Sequence, residues 1–117
     1  MDIKQLTDTP EHVAEMTADA IMERNPRRLT YGEVVNEIVS RLGLDTSAID
    51  HERQGGYEGF HTFEVPTDIG DFVVSVHYGS CSVCDTMLAI SDMRGEGREK
   101  ALRRFALNAL QGFERKE

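Results

Sequence analysis

The chain has 117 residues and a formal net charge of −8, with 13 Lys and Arg against 21 Asp and Glu. Hydrophobic residues make up 39% and charged residues 29%, which is ordinary globular usage and argues against disorder. The length predicts one domain over 1–117, and the lack of a long apolar run or of a secretory pattern at the N-terminus argues against a membrane protein and against secretion.

The part from about residue 8 to 50 is predicted to be helical. The run Asp8-Thr9-Pro10-Glu11 begins a helix, because Asp or Thr accepts free amide hydrogens and proline fits the first helical position. Asn25-Pro26 ends that helix. A second helix begins at Thr30, because Thr30 and Glu33 have the spacing of a capping box. Its apolar stripe consists of Val34, Val35, Ile38, Val39 and Leu42.

The period of the apolar residues changes to two after Gly55-Gly56, which predicts strands. A β-hairpin is expected over about 57–79, with turn residues at 66–71.

The apolar segment 87–91 is either a third strand or the beginning of a helix, because so few residues do not define a period. A final amphipathic helix is predicted to reach about residue 114, from the helical spacing of Leu102, Phe105, Ala106, Ala109, Leu110 and Phe113.

These elements predict an α+β fold. The two N-terminal helices and the C-terminal helix are expected to pack on one face of a small antiparallel sheet, with sheet and last helix together spanning about 55–114.

The charge is unevenly distributed. Residues 94–117 carry seven basic and four acidic groups, a net charge of +3, which leaves −11 for the first 93 residues. An acidic body disfavours general binding to nucleic acid, which depends on Lys and Arg replacing counterions. The basic group Arg98, Lys100, Arg103 and Arg104 is interpreted as a solvated helix face. If Arg98, Arg103 and Arg104 project together, a salt-sensitive contact with an acidic partner is expected.

The pair Cys81 and Cys84 allows three interpretations. The first is half of a zinc site, because two thiolates at this spacing reach one tetrahedral ion. A histidine or a second subunit would then complete the ligands. The candidates are His77, which is close to the motif, His61 as its cross-strand neighbour, and His12 and His51. The second is a redox-active thiol pair, which normally requires parallel βαβ units. The third is a structural turn with small buried cysteines. A reduced pair is expected in the absence of a secretory signal.

Polar residues around these cysteines predict a recognition loop at a strand end. Its members are Tyr78, Ser80, Ser82, Asp85 and Thr86. The sequence contains neither a phosphate-binding glycine loop nor a nucleophile elbow. We therefore expect neither an enzyme nor a cofactor, with zinc as the one alternative.

The run Tyr78-Gly79-Ser80-Cys81-Ser82-Val83-Cys84-Asp85-Thr86, with Gly56-Tyr57-Glu58-Gly59 upstream, carries a family resemblance. It resembles a family of small uncharacterised proteins encoded by bacteriophages and prophages, with the recurrent words G-x-Y-x-G and Y-G-S-C-S-x-C-D-T. The resemblance covers residues 55–113. It implies a phage origin and action in the cytoplasm of an infected bacterial cell.

The leading hypothesis is a phage accessory protein that binds a host or phage protein, with a homodimer as one form. One version is an inhibitor of a host defence system, whose acidic surface occupies a basic nucleic-acid groove. The alternatives are a small zinc-binding module organised by Cys81 and Cys84, and an enzyme or binder for a small nucleotide-like ligand.

Overall fold

The chain folds as an α+β structure, as predicted. The computed structural model describes residues 7, 9–44, 55–57, 60–77 and 83–115, of which 55–57, 60–63, 75–77, 83–85 and 115 are described by their backbone alone. In chain order the elements are α1 (Pro10–Arg24), α2 (Tyr31–Arg41), β1 (Gly55–Tyr57), β2 (Phe60–Thr67), β3 (Gly70–His77), α3 (Val83–Asp92), α4 (Gly95–Gln111) and β4 (Phe113–Arg115). The strands form one antiparallel sheet in the order β1-β2-β3-β4.

The start of α2 follows the predicted capping box. The Thr30 side chain accepts a hydrogen bond from the backbone N–H of Glu33 at 3.2 Å, which satisfies one of the free amides of the first turn. At the other end, Gly43 adopts a φ of +76°. The backbone N–H of Leu44 then donates to the carbonyl of Val39 at 3.1 Å, so the helix ends in a Schellman motif.

The start of α1 differs in detail from the prediction. Thr9 is the N-cap residue and Pro10 occupies the first helical position, but the Thr9 side chain makes no capping hydrogen bond. The helix ends at Asn25 with a φ of +48°, a left-handed conformation that asparagine tolerates better than most residues. Asn25-Pro26 therefore ends α1 as predicted.

The core lies between the helices and one face of the sheet. Val65 is paired with Phe72, and Val74 with Phe113, and all four are buried. The rings of Phe72 and Phe113 lie 5.0 Å apart. On the opposite face Glu114 is exposed. The helices contribute the other buried apolar residues of this core, among them Val13, Ile21, Val34, Val35, Ile38, Leu102, Phe105 and Leu110.

The hairpin is confirmed, with a tighter turn than predicted. The strands continue to Thr67 and from Gly70, which leaves only Asp68 and Ile69 between them. The Thr67 hydroxyl donates to the carbonyl of Gly70 at 2.6 Å and accepts from the amide of Ile69 at 3.2 Å. Tyr57 belongs to a separate short strand, β1, which pairs with the beginning of β2. Residues 78 and 79 of the predicted hairpin lie outside the described residues.

Two expectations for the C-terminal half are corrected. Segment 87–91 is not a third strand, because it lies within α3, where Met87, Ile90 and Ser91 are buried at helical spacing. The last helix ends at Gln111 and not near residue 114. Phe113 continues the helical spacing by coincidence: it lies in β4 and is buried by pairing with β3.

No helix in the described part of the chain combines the length and the apolar character that a membrane crossing needs.

Candidate interaction surface

The predicted cysteine site lies at the connection between β3 and α3. His77 is the last residue of β3, and Cys84 is the second residue of α3. His61 lies in β2, Asp85 in the first turn of α3, and Thr86 is half-buried in the same helix. The other members of the predicted zinc site and recognition loop lie outside the described residues: Tyr78, Ser80, Cys81 and Ser82.

The register of the hairpin does not make the two candidate histidines cross-strand partners. His61 is paired with Val76, and His77 with Phe60. Because consecutive positions of a strand belong to alternate faces of a sheet, the two histidines occupy positions on opposite faces. The described residues contain no group of three or more His, Cys, Asp or Glu that could hold a metal ion. Since Cys81 is not among them, the zinc site stays a prediction.

The basic residues of α4 do not form one projecting group. Lys100 pairs with Glu96 at 3.2 Å, and Arg103 pairs with Glu99 one turn away. Such exposed pairs along a helix are typical of a solvated face. Arg98 differs, because it is buried with 2% exposure. The prediction of a solvated face is therefore wrong for Arg98, although Lys100, Arg103 and Arg104 are exposed, and the condition for a salt-sensitive contact through Arg98, Arg103 and Arg104 is not met.

Arg98 holds the loop between α1 and α2. Its Nη1 donates to Oδ1 of Asn25 and its Nη2 to the carbonyl of Pro26, each at 2.8 Å. Both acceptors are neutral, and Nε has no hydrogen-bond partner among the described residues. Asn25 is the C-cap of α1, so the guanidinium lies at the negative end of that helix dipole, where a cation is stabilised.

A second contact attaches the same loop to α3. The backbone N–H of Leu29 donates to the hydroxyl of Ser91 at 2.9 Å. That hydroxyl donates to the carbonyl of Met87 at 2.7 Å, so it both accepts and donates in a buried position. The loop between α1 and α2 is thus fixed to the end of α3 by Ser91 and to the beginning of α4 by Arg98.

These contacts join two segments that carry exposed apolar and basic residues, and we call this set of residues the junction surface. It consists of Arg27, Arg28, Leu88, Met93 and Arg94. Leu88 is 52% and Met93 38% exposed, and all three arginines are exposed. The Arg94 guanidinium covers the end of α3, because its Nη1 donates to the carbonyls of Ser91 at 3.2 Å and of Met93 at 2.8 Å.

The positive charges of the three arginines in the junction surface are not neutralised by carboxylates of the described residues. Within the part of the chain that the structure describes, no carboxylate forms an ion pair with Arg27, Arg28 or Arg94. Asp92 adds one exposed carboxylate at this helix end, so the local charge is positive although the whole chain is acidic.

The neighbouring arginine, Arg24, is neutralised in contrast. It lies 3.5 Å from Glu33 and 3.3 Å from Glu37. Glu37 also pairs with Arg41 at 3.1 Å. The carboxylates of α2 are therefore engaged with Arg24 and Arg41, and the positive charge beyond the end of α1 belongs to Arg27 and Arg28.

This surface is not predicted from the sequence. Its members come from two segments whose connecting bond joins residues 62 positions apart. The available signals were the Arg27-Arg28 pair after Pro26 and the apolar Leu88, but neither shows which segments meet.

Comparisons with protein-family models, with curated proteins and with solved structures found no match to this chain. The resemblance to the bacteriophage family therefore stays a prediction.

Proposed function

We propose that this chain is a phage accessory protein that acts by binding another protein in the infected bacterial cell. The observation that carries the proposal is the junction surface, in which Leu88 and Met93 are exposed beside three exposed arginines. Methionine, arginine and aromatic side chains are enriched in protein interfaces. Burying the exposed half of Leu88 against a partner would contribute about 1 kcal/mol.

The rigidity of this surface supports a binding role. The loop that carries Arg27 and Arg28 is fixed by hydrogen bonds to Ser91 and Arg98, both of which are buried. A surface whose backbone is already ordered loses less conformational entropy when a partner binds. The affinity of a partner for it is correspondingly higher.

A more specific form of the proposal is the inhibition of a host defence system. The first 93 residues carry a net charge of −11, and an acidic surface can occupy a basic nucleic-acid groove on a nuclease or effector complex. The test is expression of the chain in bacteria that carry defined defence systems, followed by phage challenge. Phage plating should recover when a sensitive system is inhibited. Failure to protect any phage would remove this form of the proposal.

Matched variants test whether the protein contact behind that recovery is made through the junction surface and not through the acidic body. The double substitution Leu88→Asp and Met93→Asp should abolish the recovery of phage plating, because it places carboxylates where apolar contact is needed. Ile69→Asp is the control, because Ile69 is 40% exposed at the hairpin turn and lies outside the junction surface. Circular dichroism of each variant checks that the fold is intact. Equal recovery with both variants would mean that the junction surface is not the binding site.

A zinc-binding module is the second candidate. The observation that favours it is the position of the second cysteine of the Cys-x-x-Cys motif, because Cys84 lies in the first turn of α3, seven residues after His77 ends β3. Elemental analysis of protein purified without chelator or metal-affinity resin tests it. The double substitution Cys81→Ser and Cys84→Ser should release zinc and lower the thermal stability, since binding energy of a structural zinc is folding energy. Absence of zinc and an unchanged melting temperature would exclude the module.

A further inference from the structure

We infer that the partner of the junction surface is a protein segment rich in Asp and Glu that also carries an apolar side chain. This inference rests on the proposed function and names the partner class. It differs from the inhibition mechanism, in which the acidic body of this chain binds a basic groove. Here a basic surface of the chain receives an acidic partner.

Charge complementarity is the first step. Arg27, Arg28 and Arg94 are exposed and have no ion pair among the described residues. Guanidinium groups bind carboxylates with two parallel hydrogen bonds, which gives both affinity and orientation. A partner with several carboxylates therefore matches this surface, whereas a basic partner would meet repulsion.

The exposed apolar residues Leu88 and Met93 favour a protein over a nucleic acid as the partner. Leu88 lies three residues before Ser91 in α3, and Met93 directly follows that helix, whose end the loop of Arg27 and Arg28 contacts through Ser91. The phosphate groups that arginines bind in a nucleic acid offer no apolar atom to cover these two side chains. The net charge of −8 also repels a polyanion at long range. A protein segment supplies carboxylates and an apolar side chain together, and a short segment carries few charges to be repelled.

Photo-crosslinking tests the inference with the full chain. A photo-reactive amino acid, p-benzoyl-phenylalanine, replaces Leu88 in one variant and Ile69 in the other. Both chains are expressed in the bacterial host during phage infection, and crosslinked peptides are sequenced by mass spectrometry. The crosslink from position 88 should map to a segment in which Asp and Glu outnumber Lys and Arg. A crosslink to a basic or neutral segment, to nucleic acid or to a second copy of this chain would overturn the inference.

Two double variants that remove the same charge test whether the crosslink depends on the arginines of the junction surface. Arg27→Gln with Arg28→Gln should lower the crosslink yield from position 88 about tenfold, because two favourable ion pairs in one interface are lost. Arg103→Gln with Arg104→Gln is the control, because it removes the same charge from an adjacent pair of exposed arginines on α4. An equal loss in both variants would refute local recognition and leave only an effect of net charge.

The outcomes separate this inference from the proposed function. A protein crosslinked from position 69 but not from position 88 would remove the junction surface and leave protein binding in place. No protein crosslink from either position would contradict the proposed function itself.

Discussion

The buried guanidinium of Arg98 is expected to couple to Asn25 by about 1.5 to 3 kcal/mol, the range for a hydrogen bond to a charged group. The perturbation is a double-mutant cycle of Arg98→Met and Asn25→Gly. Methionine keeps most of the buried stem while it removes the charge. Glycine removes the Oδ1 acceptor and adopts the φ of +48° at this position without strain.

The double-mutant cycle is needed because two large and opposite contributions to the free energy of unfolding change in the single variant Arg98→Met. Arg98→Met removes two hydrogen bonds of 2.8 Å, but it also removes the cost of burying a guanidinium, which is several kcal/mol. The single variant therefore reports only their difference. In the cycle the desolvation of Arg98 and the backbone change at residue 25 cancel, and the bond between the two side chains remains.

Urea unfolding of the wild type, both single variants and the double variant gives the four free energies of unfolding by linear extrapolation. Arg104→Met is the control, because Arg104 is exposed and its substitution should change stability by less than about 0.5 kcal/mol. A coupling energy below about 0.5 kcal/mol, the limit within which independent sites add, would refute the conclusion that this bond fixes the loop.

Further substitutions test the other local interactions. Thr30→Ala should lower the free energy of unfolding by about 1 kcal/mol, because it removes a cap, whereas Thr9→Ala should cost less, since Thr9 makes no capping bond. Gly43→Ala should cost about 1 kcal/mol through its φ of +76° alone, because an added Cβ meets no atom within 4 Å. Ser91→Ala should cost about 1 to 3 kcal/mol, because the buried amide of Leu29 loses its acceptor. Thermal or urea unfolding measures each change in stability. Equal losses for the two threonine variants would contradict the capping bond of Thr30. An unchanged stability of the Gly43 or the Ser91 variant would contradict the cost assigned to that position.

Local signals in the sequence were enough to place the helices of the N-terminal half and the hairpin. The capping box of Thr30 and the stop at Asn25 depend on neighbours within a few residues, and the structure has both. The alternation in the hairpin depends on one face of the sheet being buried, which the pairing of Val65 with Phe72 confirms. Elements that depend on contacts between residues close in sequence can therefore be predicted from local sequence patterns.

Long-range contacts explain what the sequence could not show. Arg98 lies in a basic stretch that suggests a solvated face, yet acceptors 72 and 73 residues away stabilise it in the interior. Phe113 has the spacing of a helical residue, but its pairing partner in β3 places it in a strand. The junction surface likewise exists only because Leu29 and Ser91 meet.

The placement of β4 has a consequence for synthesis of the chain. Phe113 is buried against Phe72, and α4 packs on α1, so the earliest and latest described segments share one core. While the ribosome is still making α4, α1 can pack on α2 but not on α4, and the outer edge of β3 has no pairing strand. Folding must therefore wait for nearly the whole chain, and a nascent chain stalled before Gly112 should be sensitive to protease and bind chaperones.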